Sequence, residues 1–245
     1  MDREFFYSIM NGQGTLDYEL YLNTRALLSC QKNFSAFTNR DELQFQVVHQ
    51  VEELWMKLIA YTLLDIDDCL QLENTNRVAT LFRRVHMAVR LMTEQLGLLE
   101  TMSPKEYQEI RLQLGHGSGQ ESPGFRVLLK MAHPLWESFK RVYLDHHGLT
   151  VEKIYDSEYS HSDAYVVAES LAEFDELFQK FRYHHLQLIH RTIGLGAKSL
   201  KGRSVELLED GLRVQFFKEL WDIRNQMTDS WGARYGVVRD AIGDH

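Results

Sequence analysis

Apolar residues recur at spacings of three and four over long stretches of this 245-residue chain, the period of α-helices that turn one face to a core. From Asp41 to about Leu70, Val47, Val48, Val51, Leu54, Trp55, Leu58, Ile59, Leu63 and Ile66 trace one such helix. A polar break at Asn74 to Asn76 separates it from a second, traced by Val78, Leu81, Phe82, Val85, Val89, Met92, Leu96 and Leu99. Ser103-Pro104-Lys105-Glu106 is a helix start: the serine caps, proline suits the first helical position, and glutamate closes a capping box. That helix is expected to end near Leu114. The longest pattern lies between Ser162 and Gly194, where Leu171, Phe174, Phe178, Phe181, His185, Leu188 and Thr192 form an unbroken seam. Shorter helices are expected from Leu16 to Gln31, on either side of His133-Pro134, and in one or two pieces up to Arg224. The tail from Asn225 reads as irregular.

Nothing reads as a strand, an internal repeat or a linker. The expected fold is therefore all-α, a single helical-bundle domain over residues 1–245. Only 15 glycines and 3 prolines interrupt the chain, which fits long helices better than many short strands. The formal net charge of −8 argues against nucleic acid as a partner, since a phosphate backbone calls for a basic face. Cys30 and Cys69 make neither a disulfide framework nor a zinc spacing. No apolar signal core opens the sequence and no uncharged run reaches membrane-spanning length. A cytoplasmic location without a membrane partner is the expectation.

Three groups of residues invite chemistry. His185 occupies a seam position that calls for an apolar side chain, and burying an imidazole costs free energy unless a partner offsets it. A metal is one such partner; a buried carbonyl or carboxylate is the other, and the pattern alone leaves both open. His184 points away from the seam. On the first long helix Phe45 and His49 are four apart and share a face with Met56, a setting that suits a flat aromatic ligand or, equally, a boundary histidine. Glu52 falls in the same stripe, where an acid is ordinarily paired with a basic side chain. Tyr107 and Arg111 are four apart on the capped helix, and an arginine fork can hold a carboxylate. The run Gly115-His116-Gly117-Ser118-Gly119 follows no strand and lacks the lysine of a phosphate loop, which excludes a nucleotide site of that kind.

The stretch from Asp41 to Lys57, DELQFQVVHQVEELWMK, closely resembles the tryptophan 2,3-dioxygenase family. The likeness extends upstream to Tyr18-Glu-Leu-Tyr21-Leu22 and downstream through Thr93-Glu94-Gln95, Leu99-Glu100-Thr101, Glu106-Tyr107, Arg111 and Ser118-Gly119. It resumes at Phe181-Arg182 with His185, at Ile193-Gly194, and at Phe216-Phe217-Lys-Glu219-Leu220-Trp-Asp-Ile-Arg224. The resemblance implies a non-covalently bound haem b with His185 as the proximal iron ligand. It implies that His49 meets the indole N–H, that Phe45 packs on the ring, and that Arg111 and Tyr107 hold the substrate carboxylate. Ser118 would lie in the distal pocket. Tyr18, Tyr21 and Leu22 would complete a neighbouring subunit's pocket in a homo-oligomer, a tetramer or dimer. The implied reaction joins O2 to the C2–C3 bond of L-tryptophan or a close derivative.

Two departures qualify that reading. The family's Gly-Thr-Gly-Gly-Ser-Ser-Gly loop is here Ala197-Lys198-Ser199-Leu200-Lys201-Gly202-Arg203-Ser204, in which Ser199 keeps a hydroxyl for the substrate ammonium. The segment between Ser122 and Phe181 is shorter than is typical of the family. Two alternatives therefore stand beside the dioxygenase: a reductant-dependent monooxygenase acting on a substituted tryptophan such as methyl-tryptophan, and a non-catalytic haem-binding sensor. No cysteine follows a candidate histidine at the spacing of a covalently tethered haem.

Overall fold

Three long helices carry the core of the computed structural model, which describes residues 1–12, 14–115, 117, 119–157, 160–196 and 214–231. They are α4 (Glu42–Gln71), α5 (Thr75–Leu99) and α9 (Asp163–Ile193), of 30, 25 and 31 residues. The shorter helices are α1 (Arg3–Ile9), α2 (Asp17–Leu22), α3 (Thr24–Leu27), α6 (Pro104–Arg111), α7 (Pro123–Phe139), α8 (Val151–Tyr155) and α10 (Lys218–Trp231). Among the described residues there is no strand, so the fold is all-α. No described helix is long and apolar enough to cross a membrane.

The ends of the long helices follow from local chemistry. Asn74 accepts from the Arg77 amide at 3.2 Å and starts α5; Ser162 accepts from Tyr165 and starts α9. Gly194 closes α9 at φ 86°, a conformation that side chains with a Cβ disfavour. Ser103 caps α6 ahead of Pro104. α4 packs against α5 on one side and α7 on the other, and α5 packs against α9. The α5 stripe and the α9 seam bury Val78, Leu81, Phe82, Val85, Val89 and Met92 against Leu171, Phe174, Phe178 and Leu188.

Four expectations are corrected. His133-Pro134 does not divide two helices: Pro134 sits inside α7, which runs on into a π-helical turn, Lys140–Asp145. Pro134 and Lys130 are both exposed, so the Lys130 carbonyl that loses its helical donor can meet water, while Ala132, Leu135 and Trp136 stay in the core. The tail from Asn225 is not irregular at its start, since α10 continues to Trp231. The stretch Leu16 to Gln31 is two short helices, broken where Asn23 takes φ 52°. Val47, Leu54 and Leu58 of α4 face outward and are 39–48% exposed; the buried stripe instead contains Val48, Glu52, Met56, Ile59, Leu63 and Ile66.

Asp175 fastens α10 to α9. Its Oδ2 accepts from the amides of Phe216 and Phe217 at 2.8 and 3.2 Å and from the Trp221 indole at 2.8 Å. A fully buried carboxylate with three donors on one oxygen is well satisfied, and it places the aromatic cluster Phe174, Phe178, Phe216 and Phe217 beside the helix that carries His185. At the other end of the chain α1 to α3 bury no residue. The segment that follows returns to α4: Gln31 bonds Gln50 at 2.7 Å, the Lys32 amide bonds Gln46 at 3.0 Å, and the Lys32 ammonium pairs with Glu42.

Candidate functional site

Asn39 sets the geometry of the site's first wall. Its amide donates to the Glu106 carbonyl and the Glu109 carboxylate, both at 3.0 Å, while its own oxygen accepts from the Asp41 amide at 3.1 Å. Gln44 donates to the Leu98 carbonyl and to Thr101 Oγ1. The first turns of α4 are thereby tied to α6 and to the corner before it. Phe45 consequently lies 4.2 Å from His49 and 6.3 Å from Tyr107, ring centre to ring centre. Burial raises the Tyr107 phenol's pKa, and the Arg111 guanidinium opposes that rise. Phe45, His49, Tyr107 and Arg111 are thus brought together on two helices.

His49 has a fixed tautomer. Its Nδ1 lies 2.7 Å from the Phe45 carbonyl, and a carbonyl only accepts, so Nδ1 carries the proton. Burial lowers its pKa, although the Phe45 carbonyl and the Glu53 carboxylate oppose that shift. A neutral ring protonated at Nδ1 leaves the Nε2 lone pair as an acceptor.

His185 forms the opposite wall. Burial pushes its pKa down to about 4, and the nearby His49 adds to the effect. Part of its surface is nevertheless accessible. Its ring stacks on Phe181 at 6.5 Å and makes no hydrogen bond to a described residue. Gly119 lies against it: a Cβ there would stand 3.5 Å from Cε1 and 3.7 Å from Nε2. His184, by contrast, is exposed.

These features test whether the residues suit a haem. A neutral imidazole with an uncommitted nitrogen is the state a metal ligand needs. Among the described residues no group of three or more His, Cys, Asp or Glu side chains could hold a bare ion. An iron held by His185 would need its other ligands from a group of its own, as haem supplies them. The residues fit the group.

His86, which the sequence reading passed over, shows what a core histidine looks like here. Its Nε2 meets the Ser170 carbonyl at 3.0 Å and its Nδ1 the Glu173 carboxylate at 3.2 Å. Glu52 departs from expectation in the other direction. Among the described residues it has no basic partner; it is 8% exposed, and Glu52 Oε1 and Gln95 Nε2 both lack a hydrogen bond. Burial raises its pKa to about 7, with Gln95 opposing and Glu53 adding to the shift.

Tyr18, Tyr21 and Leu22 take no part in this chain's own pocket, being 71%, 89% and 45% exposed. Ser118 and Ser199, with the whole of the altered loop 197–204, lie outside the described residues.

A family model for tryptophan 2,3-dioxygenase matches residues 8–133, the part that holds Phe45, His49, Tyr107 and Arg111. The chain is 30% identical to the tryptophan 2,3-dioxygenase of Myxococcus xanthus over 268 positions, covering 88% of this chain and 91% of that protein. It is 28% identical to the tryptophan 2,3-dioxygenase of Serratia proteamaculans, over 86% of this chain and 93% of the relative. The enzyme of the same name from Xanthomonas euvesicatoria is also 28% identical, over 88% and 89%. The 268 aligned positions outnumber the chain's 245 residues, so this chain carries internal deletions relative to the Myxococcus protein.

Proposed function

Because the chain belongs to the tryptophan 2,3-dioxygenase family, we propose that it is a haem-dependent oxygenase that opens the C2–C3 bond of L-tryptophan or a close derivative with O2. The observation that carries this reading is the pairing of two walls. One is the imidazole of His185, which has no hydrogen bond to a described residue; the other is an aromatic and cationic set, Phe45, His49, Tyr107 and Arg111.

Bound on His185, haem would supply the iron at which O2 is activated. The protein's own contribution is orientation. Arg111 offers a guanidinium fork to the amino-acid carboxylate, and the Tyr107 phenol, kept protonated by burial, donates beside it. Phe45 presents a ring face for the indole. His49 Nε2 accepts the indole N–H, because the Phe45 carbonyl has already fixed the proton on Nδ1. A substrate held at its carboxylate, its ring face and its N–H has little freedom left, which is how positioning lowers a barrier. Ser118 and Ser199 are assigned to the distal pocket and to the substrate ammonium.

The whole of 1–245 is assigned to one helical domain that works as a homo-oligomer. Helices α1 to α3 bury nothing in the monomer, and Tyr18, Tyr21 and Leu22 are available to close a second copy's pocket. A fully active monomer in gel filtration would contradict this assignment.

Oxygen counting tests the reaction. Tryptophan and one O2 make N-formylkynurenine with no atoms or electrons left over, so one reduction of the iron supports many turnovers. With 18O2 the product should carry two labelled atoms. A product with one labelled atom, formed in proportion to added reductant, would overturn the dioxygenase and establish the monooxygenase. Stable tryptophan binding without any product would establish the sensor.

A further inference from the structure

Helix α7 begins unusually close to α4. The Gly124 amide donates to Glu53 Oε2 at 3.0 Å, and a Cβ at position 124 would stand 2.7 Å from Met56 Cβ and 2.8 Å from that same carboxylate oxygen. Real Cβ atoms do not approach so near, so the contact exists only because residue 124 is glycine. Ser122 Oγ accepts from the Phe125 amide at 3.0 Å and touches Met56 Sδ at 4.0 Å. Of the unpaired amides that open α7, one is met by its own cap and another by a carboxylate from a different helix. A negative charge there also faces the positive end of the α7 dipole. On its far side Phe125 stacks on Phe178 of α9, ring centres 5.5 Å apart and planes 22° from parallel.

The consequence reaches His185. Ser122 directly precedes α7, and its amide donates to the Gly119 carbonyl at 3.2 Å, closing the turn Gly119–Glu121. Gly119 is the residue that lies against the His185 imidazole. Glu53 is one helical turn beyond His49 on α4. One carboxylate thus joins the helix of the indole-facing histidine to the turn that covers the other histidine. Nothing in the sequence pattern marks it, since Glu53 reads as an ordinary helical acid.

We propose that Glu53 is a positioning residue: its carboxylate fixes the first turn of α7 on α4, and through Ser122 holds the adjoining Gly119–Glu121 turn in place. The proposal rests on the assignment of His185 as the iron ligand only for its haem-dependent arm. The anchoring itself is a statement about the chain alone.

The test compares wild-type holoenzyme with Glu53→Ala and Glu53→Gln, using two readouts. The first is hydrogen exchange. Losing the acceptor of a part-buried amide should speed exchange over Gly119–Phe125 about tenfold in Glu53→Ala, with α5 and α9 unchanged. The second is the rate at which haem passes to an excess of a scavenging apoprotein, which should rise in step. Glu53→Gln keeps an acceptor oxygen and should restore most of both properties, which a general loss of stability would not show. The proposal is overturned if exchange in Gly119–Phe125 matches wild type, or if exchange rises equally throughout the bundle. It is also overturned if Glu53→Gln behaves like Glu53→Ala. Should Glu53→Ala fail to fold, Glu53→Gln and Glu53→Asp supply the comparison: the shortened acid should exchange faster than the amide. If exchange responds as expected while haem release does not, the part of the proposal that reaches the haem site is overturned and Glu53 anchors α7 alone.

Discussion

Two histidines of this bundle, His86 on α5 and His185 on α9, are both enclosed by protein, and burial lowers the pKa of each. Around His86 both ring nitrogens have a protein partner within reach: a carbonyl at one, a carboxylate at the other, and Arg90 paired with that carboxylate in turn. Around His185 and the facing end of α4 the polar atoms are left open. Among the described residues His185 has no hydrogen bond and His49 has none at Nε2, while Glu52 Oε1 and Gln95 Nε2 are buried without one. A protein loses stability by leaving buried polar groups unmet, and such atoms also occur away from these histidines, at Thr24 Oγ1 and Asp67 Oδ1. The contrast is between a closed region, where both nitrogens of His86 meet protein partners, and an open end, where His185 meets none among the described residues.

The strongest way to break this contrast is at the open end. Arg111→Leu should weaken tryptophan binding by roughly 2–5 kcal/mol, while indole, which lacks a carboxylate, binds as before. Calorimetric titration with both ligands decides; equal losses would make Arg111 a structural residue.

Glu52 gives a smaller effect with a definite pH signature. Its folded-state pKa, about 7, lies above the 4.5 of an unfolded chain, so between those values the folded protein binds more protons. Stability is therefore eroded as pH rises from about 4.5 through 7, and the loss is complete above that. Glu52→Gln removes the titration and should stabilise the protein at pH 8 by about 2–3 kcal/mol, with the gain vanishing below pH 4.5. Denaturant unfolding across that range checks it, and a gain independent of pH would contradict the burial argument.

Smaller again is the exchange of roles between the two histidines. In haem-stripped protein His86→Ala should cost about 1–3 kcal/mol, because the Ser170 carbonyl loses its donor. His185→Ala should cost less, since the ring makes no hydrogen bond to a described residue. Urea midpoints that rank the two variants the other way would erase the distinction between the regions.

Much of the frame is legible in the sequence because it is written in local signals. The α9 seam, its Ser162 cap and its Gly194 stop are all neighbours in the chain, and the structure places them where the spacing does. Pro134 misleads because the rule for proline in a helix depends on whether the freed carbonyl meets water, and exposure is a tertiary property. The asparagine at 225 is no barrier to α10 once Asp175, some fifty residues earlier, has fixed that helix's start. His86 and His185 sit in similar apolar stripes, and only the partners that other helices bring distinguish them. Phe45, His49, Tyr107 and Arg111 are visible as two pairs four apart, but the convergence of those pairs depends on Asn39 bridging α4 to α6. Glu53 is invisible in sequence for the same reason: its meaning is a distance to Gly124 on another helix.

The central claim, that the unbonded imidazole of His185 is the protein's ligand to haem iron, is tested most directly by removing that ring and giving it back in solution. His185→Gly protein reconstituted with haem should lack the wild-type absorption spectrum. Free imidazole, entering the space the side chain vacates, should restore it. A His185→Gly protein that shows the native spectrum without imidazole would place the iron on another residue and contradict the account.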